Sequence, residues 1–216
     1  MAKTLAENKA YWDKFYGNLK LSVPSQFCAM ISVELPDNST ILEFGCGNGR
    51  DALYFASRGN HVVAMDLSEH GIEACSAAAK DQSLSHAHFC QGSLASHDDL
   101  AKQFELARDV SSSEGVVGYS RFVMHSINDA QQTAFLSSVG RLMKTGERLY
   151  LEFRSKEDAN LEKTFGNHYR RFVDTDTFVD EAVSNGFDLE YRHTGQGMAR
   201  YKSEDPFVSR LIFTKN

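Results

Sequence analysis

The sequence is short of proline and cysteine and has no long apolar run, and each shortage removes a class of protein. Its 216 residues include only 3 prolines, and no repeat, low-complexity tract or linker-like stretch interrupts the pattern, so one domain is expected over 1–216. The 4 cysteines, Cys28, Cys46, Cys75 and Cys90, form no CxxC pair. They are too scattered for a disulfide scaffold and read as reduced thiols of a cytoplasmic protein. Nowhere do about 18 consecutive apolar residues occur, which argues against a helix crossing a bilayer. Residues 1–10 lack the apolar core of a secretory leader. The 8 histidines include no HExxH, and no Cys/His spacing suggests a metal cage, so no metal is expected. Basic charge is also in deficit, 23 Lys and Arg against 29 Asp and Glu for a net −6. That balance points away from nucleic acid and anionic membranes and toward a small-molecule partner.

What is present is a regular alternation on a substantial core. With 42% hydrophobic residues, a chain of this length buries roughly 70–75% of its unfolded surface. Residues 1–36 read as a helical cap: Tyr11, Trp12, Phe15 and Tyr16 recur at helical spacing, Pro24 and Ser25 open a second helix, and Pro36 closes it. From residue 40 the pattern predicts strands over 41–44, 61–66, 86–90, 115–119 and 148–153, with helices over 51–57, 71–80, 99–106 and 129–143 between them. Such a β-α-β series implies a parallel sheet with helices on both faces. The end differs. A helix over 178–184 is followed by strands at 187–193 and 207–214 with no helix between, which requires an antiparallel hairpin. The expected fold class is α/β, a Rossmann-like doubly wound seven-stranded sheet, mostly parallel with a C-terminal antiparallel hairpin, over 40–216.

The most informative segment runs from Glu43 to Asp51, EFGCGNGRD, with Asp66 closing the second strand. Glycines are needed where backbone turns sharply against a ligand. A dinucleotide site wants GxGxxG with pyrophosphate at the helix N-terminus. Here Gly45, Gly47 and Gly49 form GxGxG, and Arg50 stands where the dinucleotide pattern has its third glycine. Glu43 would repel a diphosphate but suits an ammonium group, so the chemistry fits a cationic cofactor. S-adenosylmethionine meets that description, with Asp66 positioned to accept its ribose hydroxyls. On these residues the sequence resembles the class I S-adenosylmethionine-dependent methyltransferases, from about Trp12 to the C-terminus.

The resemblance implies a cofactor site at Tyr16, Glu43, Gly45, Cys46, Gly47, Arg50, Asp66, Leu67, Ser93, Leu94 and Ser120. The family's third strand usually ends in Gly-Asp; here it is Gly92-Ser93, with Leu94 placed to cover the adenine face. A plain strand-to-helix turn is the other reading of residues 91–94. After the fourth strand comes Tyr119-Ser120-Arg121-Phe122, followed by His125. It lacks the Asn-Pro-Pro-aromatic of nucleobase and amide methyltransferases and the acidic metal ligand of catechol-type enzymes. The segment is similar instead to small bacterial methyltransferases associated with surface-polysaccharide or small-molecule modification.

Ligands of open parallel sheets bind at the carboxyl ends of the strands. Arg154 follows the fifth strand, Tyr169, Arg170 and Arg171 lie nearby in sequence, and Arg200 and Lys202 sit in the hairpin connection 194–206. That connection exceeds the about two to five residues a hairpin needs. These residues are read as a substrate site for an anionic small-molecule or glycan acceptor gripped by arginine. The plainer alternative is that they pair with Asp158, Glu162, Asp174, Glu204 or Asp205. Arg121, His125 and His168 are the catalytic candidates. A histidine base serves a hydroxyl acceptor, while a histidine packed behind the site is the other reading of His125. The expected reaction is methyl transfer to an oxygen. Thiol or metalloid methylation, a nicotinamide-dependent oxidoreductase and a non-catalytic cofactor-binding protein are the rivals.

Overall fold

The computed structural model describes residues 23–111, 115–161 and 169–216. The chain runs α1 (Gln26–Glu34), β1 (Thr40–Phe44), α2 (Arg50–Ser57), β2 (His61–Asp66), α3 (Glu69–Asp81), β3 (Ala87–Gln91), α4 (His97–Asp109), β4 (Val116–Arg121), α5 (Asp129–Leu142), β5 (Arg148–Arg154), a 3-10 turn (Lys156–Asn160), α6 (Thr175–Ser184), β6 (Phe187–Gly195) and β7 (Val208–Lys215). All seven strands form one sheet in the order β3-β2-β1-β4-β5-β7-β6. The first five are parallel, and β7 runs antiparallel to both β5 and β6. The strand order reverses between β1 and β4, which opens the crevice where α/β sheets take their ligands.

Period-two alternation sorts the strand residues between two cores. Leu42, Val63, Leu149, Leu151, Phe153 and Phe213 pack under α4, α5 and α6 with Phe104, Phe135 and Phe178. Ile41, Val62, Ala64, Tyr119, Tyr150 and Ile212 face α1, α2 and α3 through Phe27, Ile31, Phe55 and Cys75. The same parity carries Glu43, Asp66, Arg121, Glu152, Arg154 and Arg210 onto this second face at the carboxyl edge. Charged residues there are a departure from an otherwise apolar surface, and they mark the site.

Among the described residues the expected elements form, many of them with longer ends. Helices begin earlier because a side chain caps each: Ser68 accepts from Gly71 N before α3, Ser96 from Asp99 N before α4, and Asp174 from Thr177 N before α6. Strands β4 and β5 run on to Arg121 and Arg154, since their last residues still pair across the sheet. The hairpin connection consequently shifts to residues 196–207. Ser25 caps α1 as expected, accepting from Cys28 N at 3.0 Å, while the earlier part of the expected cap, with Tyr16, lies outside the described residues. Among the described residues no helix is long and apolar enough to cross a membrane.

Candidate cofactor and acceptor site

The turn after β1 is held by its own backbone and by Asp66. Gly45 and Cys46 donate to Met65 O at 2.8 and 3.0 Å, continuing the β1–β2 ladder past the strand end. The Asp66 carboxylate then accepts from Gly47 N at 2.8 Å and from Ser68 N at 2.9 Å. The loop thus uses the carboxylate to fix its own backbone on both sides of the strand end. Gly45 sits at φ +80°, and a Cβ there would lie 2.2 Å from Val123 Cγ2. Glycine is required at that point because the loop after β4 presses on it.

Glu43 is buried at 4% exposure, and among the described residues no donor reaches its Oε2. Burial, then the neighbouring Asp51, pushes its carboxyl well above the usual range. Asp51, by contrast, is fully engaged. It accepts from Ser25 N and Ser25 Oγ, both at 2.7 Å, and from Tyr119 Oη at 2.8 Å. This hub ties the start of α1 to α2 and β4. Arg50 lies 3.4 Å from the same carboxylate, so its guanidinium partners Asp51. The hub was invisible in the sequence, since Ser25, Asp51 and Tyr119 are far apart along the chain and no local motif joins them.

At the end of β3, Ser93 N donates to Asp99 Oδ2 at 3.0 Å and Ser93 Oγ accepts from Ala95 N at 3.3 Å. Asp99, from the first turn of α4, therefore brings to this turn the carboxylate that Gly92-Ser93 lacks. The Ser93 hydroxyl keeps its hydrogen for a ligand. Leu94 packs against the core, and Leu67 is half-buried beside Asp66. Cys46 is buried, its thiol pushed up by a hydrogen bond with Cys75 and by burial. That fits the small filler its position suggests.

The far half of the edge is built differently. Ser120 is buried and donates to Phe44 O at 2.8 Å, so its hydroxyl stitches β4 to β1 and is not offered to a cofactor. Glu152 lies between two guanidinium groups, Arg121 Nε and Arg210 Nε, each at 2.7 Å. Arg154 is buried and bonds Asp158 at 2.7 Å and Glu204 at 2.6 Å. Arg171 bonds Asp129, Gln132 and Met124 O, while Arg200 lies 3.8 Å from Asp205. The exposed Lys202 stands over the Tyr201 ring at 5.4 Å. Tyr169 and Arg170 are half-buried, and His168 lies outside the described residues. For Arg154, Arg171 and Arg200 the expected open cationic patch is replaced by pairing, with carboxylates both near in sequence, Asp158 and Asp205, and far from it, Glu204 and Asp129.

His125 Nδ1 accepts from Arg154 N at 3.2 Å, which places the ring hydrogen on Nε2 and occupies the lone pair a base needs. The bond ties the ring to the end of β5, as the reading of a histidine packed behind the site has it. Phe122 has φ +61°, a left-handed conformation rare for a bulky residue. Its ring is flanked by Arg121 at 4.1 Å, Arg154 at 5.6 Å and His125 at 5.2 Å. Sequence reasoning missed it, since an aromatic after a strand carries no sign of an unusual backbone.

Comparison with known proteins agrees with this geometry. Residues 41–146 match the model of a family described as methyltransferase domain. A stretch of 97 residues is 30% identical to the S-adenosyl-L-methionine-dependent Diels-Alderase iccD of Talaromyces variabilis, covering 40% of this chain and 33% of that protein. A SAM-dependent methyltransferase of Anabaena variabilis superposes with a TM-score of 0.75 at 16% identity, over 100% of this chain and 96% of the other. The [4+2]-cyclase SpnF superposes with a TM-score of 0.65 at 13% identity, over 91% of this chain and 84% of the other. Taken with the sheet order and the turn after β1, these matches show the Rossmann-like methyltransferase fold, with a methyltransferase-domain match over residues 41–146.

Proposed function

We propose that the protein binds S-adenosylmethionine along the edge of β1, β2 and β3 and transfers its methyl group to an oxygen of a small acceptor seated over β4 and β5. One observation carries the reading: a buried carboxylate, Glu43, with an oxygen that no described donor reaches, beside a glycine turn with little room for side chains. A buried charge is stable only with a partner, and the ammonium of an amino-acid cofactor supplies one. Asp66 would take the ribose and the Ser93–Leu94 turn the adenine. The sulfonium cofactor, when bound, brings an already electrophilic methyl, so the protein's task is alignment. Phe122, fixed by its neighbours and by its amide donating to Glu152 O at 2.8 Å, forms a wall on the acceptor side. With the His125 lone pair engaged, an acceptor oxygen that is already anionic fits better than a neutral hydroxyl.

Calorimetry with S-adenosylhomocysteine and, in parallel, NADH tests the cofactor: heat from the first alone is expected, and heat from NADH alone overturns the reading. Product mass analysis with candidate oxygen and thiol acceptors then looks for an added methyl. A second reading is favoured by two of the matched proteins, which are named for cycloaddition. In it the cofactor is held but not consumed. A product of unchanged mass, with the cofactor intact, selects that alternative.

A further inference from the structure

Arg154 has two carboxylate partners held in different ways, Asp158 by the body of the domain and Glu204 by the hairpin connection. Asp158 is fully buried, and while Oδ2 receives Arg154, Oδ1 accepts from Phe207 N at 3.0 Å. Glu204 reaches Arg154 Nη2 from the hairpin connection. It sits in a turn closed by Tyr201 and Glu204, each donating its amide to the other's carbonyl at 2.9 and 3.0 Å. Lys202 within that turn has φ +53°, a left-handed backbone unfavourable for a non-glycine residue. The root of the connection is held independently. Gln196 and Gly197 bond Asp205, both at 2.7 Å, and Ser155 N donates to Phe207 O at 3.1 Å. Glu204 can therefore leave Arg154 by motion of the short turn alone.

The place Glu204 occupies lies on the acceptor side of the site. The Arg154 guanidinium is 5.6 Å from the Phe122 ring, and the next residue, Val123, is the one that abuts Gly45 of the cofactor turn. Arg154 and the turn after β1 thus lie against consecutive residues of the loop after β4, Phe122 and Val123. Resting on the methyl-transfer reading above, we propose that Glu204 is a resident stand-in for the acceptor: an oxyanion of the substrate, carboxylate or phosphate, displaces it from Arg154 Nη2. The exchange leaves the charge of the buried cluster unchanged, and the departing Glu204 regains its hydration. The second, bound carboxylate at Asp158 keeps the guanidinium oriented throughout. Glu204 then acts as a specificity filter, because a neutral acceptor offers nothing to replace it.

The test uses the full-length protein saturated with S-adenosylhomocysteine at fixed ionic strength, titrated with inorganic phosphate and separately with acetate. In Glu204→Gln at least one of these ions is expected to half-saturate at a concentration about tenfold or more below that for the native protein, a gain of about 1.4 kcal/mol. Phosphate alone points to a phosphate ester, acetate alone to a carboxylic acid, and both support the proposal. Adding Arg154→Lys, which removes the bidentate fork, is expected to cancel the gain. Glu204→Asp, one methylene shorter, should show the same direction with less effect, and keeps the charge should the glutamine variant fold poorly. The proposal is overturned if both Glu204 variants titrate like the native protein, or if the gain survives Arg154→Lys. Heat of S-adenosylhomocysteine binding separates the two levels: heat without an anion effect defeats only this proposal, and absence of heat in the native protein defeats the cofactor reading.

Discussion

The two halves of the sheet's carboxyl edge are both rich in charge, yet they are organised in opposite ways. Over β1 and β2, Glu43 has an oxygen that no donor reaches among the described residues, and Asp66 accepts from the backbone amides of Gly47 and Ser68. Over β4, β5 and β7, every described carboxylate of the Arg121–Glu152–Arg210 and Arg154–Asp158–Glu204 groups meets a guanidinium. The first leaves a buried carboxyl oxygen without a partner among the described residues, which under the proposed function the ammonium of the cofactor meets. The second is complete by itself, and anything that binds there must trade places with what is already present. Unpaired burial costs stability, so the protein is expected to gain stability from its cofactor on the first side only.

The largest effect should come from the closed side. Glu152→Ala leaves Arg121 and Arg210 buried without their shared carboxylate, and a loss of about 3–5 kcal/mol in urea unfolding is expected. Affinity of the folded protein for S-adenosylhomocysteine should change by less than about threefold, because the Glu152 carboxylate bonds Arg121 and Arg210 and not the glycine turn. A parallel collapse of affinity would show that the halves are one unit. Gly45→Ala is the converse. The new methyl overlaps Val123 at a left-handed backbone position, and calorimetry should show affinity weakened by about 100-fold, about 2.7 kcal/mol.

Glu43→Gln should move binding and stability in opposite directions. Removing the charge is expected to cost about tenfold in affinity, about 1.4 kcal/mol, while the ligand-free protein becomes more stable at neutral pH. The sign follows from linkage. The folded carboxyl titrates well above its ordinary 4.5, so its stabilising contribution is complete below 4.5 and lost as pH rises through the folded value. The native protein should therefore fall behind the variant across that window. Cofactor binding should also release a proton, seen as a dependence of binding heat on buffer ionisation. Equal stability of the two proteins at every pH would remove the asymmetry between the halves. The smallest effect is expected at Asp174, on the surface away from both. Its hydrogen bonds with Lys156 and Thr177 N hold the carboxyl down to about 2, so its contribution is present above the ordinary 3.8 and fades as pH falls through about 2. Asp174→Asn should flatten that acid limb slightly, and added salt should erase the difference.

The same contrast explains what was legible in the sequence. Glycines at 45, 47 and 49, an acid two residues before them and another at the end of β2 are local signals, each dictated by backbone geometry over a few residues. The alternation of elements and the terminal hairpin were equally readable, since burial imposes its period on every strand. Partner choice among side chains was not. Arg154 reads as an open cation until Asp158 and Glu204 are brought to it, the latter 50 residues away. Asp51 reads as an ordinary first-turn acid until Ser25 and Tyr119 converge on it. His125 had the right chemistry for a base, and only the amide of Arg154 at its Nδ1 reveals that the lone pair is taken. Phe122 gave no signal at all, because dihedral strain has no letter in the alphabet.

The bonds that Asp66 makes to Gly47 and Ser68 carry one more implication. They close the cradle on itself, so the chain surrenders the freedom of these residues once, when it folds, and not again at each encounter with a nucleoside. Recognition there should resemble a key meeting a cut lock, with rapid capture, little ordering entropy to overcome, and a turnover rate governed by how quickly the spent molecule departs.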